Sequence, residues 1–284
     1  MRRSRASKQQ LKGQTIKELE KYWRLMNRLE HRVLEGKVGV KQVYDEMADL
    51  YDRSEYLYWT RRMEEGEERA IKKWIERAPS LLIDVGCGTG RYVVKKGIEG
   101  SEIIALDISR RMLRKALEKA KKCDCHQNIY PILADGEYLP FRDKSFGSLV
   151  CTLTFDHFGK CELAAREFWR VLKDGGLCIL TTFNPHTLND WKRRARVPLD
   201  KIRFQTEDMP PTLVHEVAHS VDEVEELFGK YGFSIMDAKG CCYWHLLPAC
   251  LVKHYKLKFD LLFNPFKSLL KYAEIHAVCM KKHQ

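Results

Sequence analysis

A doubly wound α/β sandwich around a mostly parallel sheet is the fold class this sequence predicts, and three observations predict it. The apolar run Leu81–Val85 is too short for a helix and ends in Gly86, Gly88 and Gly90. That reads as a buried strand entering a tight turn, followed by a helix whose unpaired N–H groups point at whatever lies over the turn. A second run, Ile103–Leu106, ends in Asp107, 21 residues after Gly86. At that distance an acidic residue closing the second strand of a βαβ unit meets ribose hydroxyls. Further strand-like runs (Tyr130–Ala134, Phe146–Leu153, Leu177–Phe183) alternate with helical periodicity, notably Met112, Leu113, Ala116, Leu117 and Ala120 after a Ser109 N-cap, then Glu162–Leu172. A nucleoside-containing cofactor at the carboxyl ends of parallel strands follows from these three together.

Five blocks in order and spacing extend the pattern over roughly residues 80–183: Asp84-x-Gly86-x-Gly88-x-Gly90, Leu106-Asp107-Ile108-Ser109, Ala134-Asp135-Gly136-Glu137-x-Leu139-Pro140-Phe141, Ser145-Phe146, and Arg170-Val171-Leu172-Lys173-Asp174-Gly175-Gly176. In these blocks the chain resembles the class I S-adenosylmethionine-dependent methyltransferases. Dinucleotide oxidoreductases usually space their glycines G-x-G-x-x-G, whereas here they run G-x-G-x-G. The resemblance implies a seven-strand Rossmann-like methyltransferase sandwich whose last strand is antiparallel. It implies S-adenosyl-L-methionine as cofactor, released as S-adenosyl-L-homocysteine, with no metal. Asp84 and the backbone of Gly86, Cys87, Gly88 and Gly90 would hold the amino-acid end. Asp107 would lie on the ribose and Asp135 on the adenine, with Ile108, Gly136 and Glu137 also at the cofactor. Thr152 would pass beside the cofactor, and Tyr51, in the stretch before the first strand, would lie across it. Gly147 stands where the family often has an acidic residue, at the start of a strand and far from the cofactor edge.

Composition bounds the rest. At 284 residues and 44% hydrophobic content the chain can fill one large core, here taken as a domain over residues 39–284 with a basic helical extension over 1–38. The formal charge of +11 points to an anionic partner or surface, and residues 1–35 alone carry ten Lys/Arg against four Asp/Glu. The start has no apolar core behind its charges, the longest apolar stretch near residues 243–252 is interrupted by His245 and Pro248, and ten cysteines accompany no secretory signal. The expectation is a cytoplasmic protein with reduced thiols and no transmembrane segment.

Thr15-x-x-Glu18 opens an amphipathic helix over residues 15–35 with Ile16, Leu19, Trp23, Met26, Leu29 and Val33 on one face and Lys17, Lys21, Arg24, Arg28 and Arg32 on the other. It reads as a helix packed on the domain, with an arm for RNA or anionic lipid as the rival. A charged helix, Glu64–Arg77, leads into the first strand. Asp156-His157-Phe158 falls on the loop above the sheet, and His157 is the candidate catalytic base. The 36 residues from Asn184 to His219, with Lys192, Arg193, Arg194, Arg196 and Pro210-Pro211, form the long connection where acceptor selection is expected. Asn184-Pro185-His186 is similar to a motif of the amino-methylating DNA enzymes but lacks their second proline and aromatic residue. Phe233–Ala238 and Glu274–Met280 read as the sixth and seventh strands, separated by an apolar insert (about 243–272) suited to roofing a greasy acceptor or touching a membrane surface.

Two apparent metal motifs are set aside. Cys123-Asp124-Cys125-His126 lacks a second pair of ligands nearby. His215-Glu216-Val217-Ala218-His219 matches H-E-x-x-H, but Ser220-x-x-Glu223 starts the next helix after it, which leaves the histidines on an extended approach. The function expected is methyl transfer to an O, N or C atom of a small, apolar or lipid-like acceptor. A tRNA-modifying enzyme is the rival, because Gly86–Tyr92 and Leu139–Arg142 also resemble the wobble-uridine group. A non-catalytic cofactor-binding subunit is the third reading.

Overall fold

The computed structural model describes residues 31–52, 57–79, 81–204, 209–243 and 267–283. A seven-stranded sheet runs in the order β4-β3-β2-β5-β6-β10-β9. Its strands are β2 (Leu82–Val85), β3 (Ile103–Asp107), β4 (Ile129–Leu133), β5 (Phe146–Thr152), β6 (Leu172–Phe183), β9 (Phe233–Cys241) and β10 (Ile275–Lys282). The four neighbouring pairs from β4 to β6 are parallel. β10 is antiparallel to both β6 and β9, as the resemblance implied. The order reverses between β2 and β5, so the carboxyl ends of those strands open a crevice beside the glycine turn.

Alternation along the central strands loads both faces. Leu82 joins Ile103, Ile71 and Trp74 on one side, while Ile83 and Val85 join Phe155, Phe168 and Phe228 on the other. Such two-sided burial is what a sheet covered by helices requires. Helices α2 (Leu57–Glu76), α3 (Arg91–Ile98) and α4 (Arg110–Lys122) accompany the first face. α5 (Cys161–Val171) and α7 (Val221–Gly229) accompany the second. Two caps fall where the sequence placed them: Ser109 accepts the Met112 N–H, and Ser220 and Glu223 form a reciprocal capping box.

A second, three-stranded sheet was not expected. β1 (Arg32–Val33), β8 (Thr212–His215) and β7 (Lys201–Phe204) pair in that order, and α6 (Pro185–Ala195) joins them to the main sheet. The long connection is therefore a folded unit. The helix expected over residues 15–35 lies largely outside the described residues, but its end is corrected. Arg32 and Val33 are extended and pair with Thr212 and Leu213, and the Arg32 guanidinium bonds Glu46 and Thr212. Helix α1 (Gly36–Met47) then crosses the boundary placed at 38/39.

β6 differs too. It begins at Leu172, directly after α5, and the register moves from Phe146↔Leu172 to Ser148↔Leu177, so Lys173–Gly176 loops out within a strand. The insert near 243–272 lies outside the described residues from 244 to 266. Its end, Lys267–Tyr272, forms a short 3₁₀ turn. Among the described residues no helix is long and apolar enough to cross a membrane.

Candidate functional site

One cavity of about 640 Å³ lies over the carboxyl ends of β2, β3, β4 and β5, within the range usual for a small-molecule site. Its floor is the glycine turn. Gly86, Gly88 and Gly90 all have positive φ (76°, 53° and 83°). They do different things. A methyl group on Gly86 would sit 2.1 Å from Thr154 Cγ2, and one on Gly90 2.7 Å from Ala116 Cβ, so both are needed for packing. One on Gly88 would meet no protein atom within 4 Å, because Gly88 faces the cavity.

Asp107 and Asp135 stand at the ends of neighbouring strands on the same edge, and both line the cavity. The Gly88 N–H donates to Asp107 Oδ2 (2.8 Å) and the Ser109 N–H to Oδ1 (2.8 Å). Each oxygen keeps further lone-pair capacity for a hydroxyl donor. Burial pushes the Asp107 carboxyl up to about 6, against the pull of these backbone bonds. Asp135 accepts the Glu137 N–H at Oδ1 (2.9 Å) and pairs with Lys37 Nζ at Oδ2 (2.6 Å).

Of the residues singled out in the sequence, Tyr51, Gly86, Cys87, Gly88, Asp107, Ile108, Asp135, Gly136, Thr152 and His157 line the cavity. Asp84, Gly90 and Glu137 do not, and each departure has a physical reason. Gly90 is held against α4 by Ala116. Glu137 is fully buried and turned toward α5, where its Oε1 accepts the N–H groups of Gly159 and Lys160. Asp84 lies behind the turn. Burial raises its carboxyl to about 7, and its Oδ1 accepts no hydrogen bond from the described residues.

The far end of the cavity is built by parts the sequence did not connect. His157 sits in a buried 3₁₀ turn, Phe155–His157, rather than on an open loop. Its Nδ1 lies 2.8 Å from the His215 carbonyl and so carries the proton, which leaves Nε2 to accept the Tyr44 hydroxyl at 2.7 Å. Burial, against the pull of the His215 carbonyl and with a smaller push from the nearby Lys192 charge, brings the His157 imidazole down to about 4. Tyr44 also meets Phe204 edge-on at 5.6 Å. Glu216, from the H-E-x-x-H match, lines the same end, and burial raises its carboxyl to about 7. His215 ends β8, and His219 lies 3.6 Å from Cys161 Sγ on the way to α7. Among the described residues no three His, Cys, Asp or Glu side chains gather as a metal set.

Tyr44, Lys37 and Glu216 were missed. Tyr44 lay one helical turn and more before the aromatic singled out, with nothing local to prefer it. Glu216 was inside a motif judged only as a zinc site.

The Methyltransferase domain family matches residues 83–180. An uncharacterized protein of Methanocaldococcus jannaschii is 35% identical over 214 residues, covering 70% of this chain and 78% of that one. The demethylmenaquinone methyltransferase of Thermus thermophilus is 30% identical over 144 residues. The chain belongs to the class I S-adenosylmethionine-dependent methyltransferases. The match to the Thermus enzyme covers 50% of this chain and 61% of that one, so the chain spans less than two thirds of it. A solved S-adenosylmethionine-dependent methyltransferase from Listeria monocytogenes overlays with a TM-score of 0.57 at 15% identity, covering 77% of this chain and 97% of that one, which is a likeness of fold.

The residues present fit the methyl donor of this family. Gly88 offers backbone with open space above it, and Asp107 keeps acceptor capacity at the strand tip. A hydroxyl-bearing ligand seated over the turn satisfies both.

Proposed function

We propose that this methyltransferase acts on a small, largely apolar acceptor bound between α1 and the β7–β8 sheet. The observation that carries the reading is the continuity of the cavity. It runs from Gly88 and Asp107 to an aromatic end formed by Tyr44, Phe158, Trp191 and Phe204. The turn from Gly86 to Gly88 would hold the amino-acid end of S-adenosyl-L-methionine, with Asp84 behind it. Asp107 would hold the ribose and Asp135 the adenine. Tyr51, on the cavity wall, would cover the donor. Bound there, the donor supplies an electrophilic methyl on a positive sulfur. The protein's own task is alignment and exclusion of water, since the chemistry is intrinsic to the donor.

His157 would position the acceptor side. Its Nε2 is neutral at working pH and already accepts the Tyr44 hydroxyl, so the pair offers the fixed Tyr44 oxygen as an acceptor instead of a strong base. The distant quinone-modifying relative supports an apolar acceptor. Methyl-labelled donor incubated with the protein and total cell extract, then fractionated, tests the reading. Label in the apolar small-molecule fraction is expected, and label confined to RNA or protein would overturn it.

A further inference from the structure

Glu216 is an ionisable side chain inside the cavity with no part in holding the donor. It lies on the chain just beyond β8, and its backbone is pinned: the Glu216 N–H donates to the Asp200 carbonyl (3.0 Å) and the next N–H, of Val217, to the Asp156 carbonyl (2.8 Å). The side chain is 1% exposed, lines the cavity, and accepts no hydrogen bond at Oε1 from the described residues. Behind it stands Lys192 of α6, fully buried, whose ammonium donates to the carbonyls of Leu199 (3.1 Å) and Glu216 (3.0 Å) and lies 3.4 Å from Glu216 Oε1. Two backbone carbonyls and one carboxylate hold that ammonium where it is, so its charge is a fixed part of the wall.

This arrangement selects among ligands by charge. A carboxylate alone in an apolar pocket would favour a cation. Here the Lys192 charge lies directly behind it and, together with burial, already disfavours a positive imidazole at His157. The pair is close to neutral as seen from the cavity, so it attracts a hydrogen-bond donor more than an ammonium. The other ionisable groups around it, Asp156 and His157 in the 3₁₀ turn and Tyr44 on α1, are occupied. Asp156 accepts from Thr182 and from the Phe183 N–H, and His157 and Tyr44 bond each other. The walls nearby are aromatic, with Tyr44 set edge-on to Phe204, which favours a flat molecule.

We propose that Glu216, backed by Lys192, accepts a hydrogen bond from a hydroxyl group on a flat aromatic acceptor, which makes a hydroxylated ring the substrate class of this cavity. The assignment rests on the reading of the cavity as an acceptor site. It gives a purpose to the one residue of the H-E-x-x-H stretch that reaches the cavity.

Equilibrium dialysis of the full chain at pH 8, above the value of about 7 to which burial raises the Glu216 carboxyl, tests it with three probes of one ring system: 2-naphthol, 2-methoxynaphthalene and the 2-naphthylmethylammonium ion. The naphthol should bind about tenfold tighter than either of the others, the scale of one well-made hydrogen bond to a charged acceptor. Glu216→Gln should reduce that preference over the ether to about threefold or less. Where the variant does not fold, the ranking of the three probes on the unaltered protein decides alone. Equal affinities for naphthol and ether, or tightest binding of the ammonium, would overturn the proposal. S-adenosyl-L-homocysteine titrated in parallel separates the two readings. Uptake of that ligand with a flat probe ranking sinks only the Glu216 assignment, and the expected ranking without uptake sinks only the donor site.

Discussion

The two ends of the cavity are built on different principles. The proposed donor end is local: Gly86, Gly88 and Asp107 lie within 22 residues of one another, and its contacts are backbone N–H groups held by a strand–turn–helix unit. The proposed acceptor end is assembled from far apart. Tyr44 reaches His157 across 113 positions, and the His157 ring is fixed by a carbonyl another 58 positions on. Backbone geometry makes the first end tolerant of sequence but intolerant of added atoms. Side-chain packing makes the second end readily altered by single substitutions. One fold can thus keep its donor while changing what it methylates.

The largest expected effect would sharpen that contrast. Gly86→Ala drives a methyl into Thr154, which is itself pinned by bonds to the Gly86 and Thr152 carbonyls. With the strain of a positive φ added, the variant should lose about 3 kcal/mol or more of stability by chemical denaturation. A loss below about 1 kcal/mol would show that the turn is not rigid.

Glu216 gives the next effect, through pH. Its carboxyl is raised from an ordinary 4.5 to about 7 on folding, so the folded state holds the proton more tightly than the unfolded chain. That contribution is complete below about 4.5 and is lost as pH rises through 7. Glu216→Gln carries no such loss. Its melting temperature relative to the unaltered protein should therefore climb between pH 4.5 and 8, by the equivalent of about 3 kcal/mol at most. A flat difference would mean that Glu216 is well solvated, and the acceptor end would not be a dry, built site.

Tyr44→Phe should act more modestly. It leaves His157 Nε2 without its donor, a cost of about 1–3 kcal/mol if no water replaces it. Donor uptake should be unchanged while transfer to the acceptor falls. Equal damage to both would break the division between the two ends.

The same contrast explains what the sequence could disclose. The strands and helices of the main sheet were legible because alternation, capping and the glycine turn are local signals, as Ser109 and Ser220 illustrate, while the antiparallel last strand came from the family resemblance. The β1–β8–β7 sheet was not. Arg32–Val33 looks helical by periodicity, and only the distant partner Thr212–Leu213 draws it into an extended form. Asp107 and Asp135 were readable as strand-tip acids. Glu137 was not, because whether a side chain turns to the cavity or to the N–H groups of Gly159 and Lys160 depends on a helix 22 residues away.

Calorimetric titration of S-adenosyl-L-homocysteine into the full chain and into Gly88→Ala tests the donor site most directly. A methyl at Gly88 touches no protein atom, so the substitution adds only the strain of its φ of 53° and fills space over the turn. The unaltered protein should bind one equivalent, and the variant, still folded, should bind at least about tenfold more weakly. No uptake by the unaltered protein, or equal affinity in the folded variant, would contradict a donor seated on this turn.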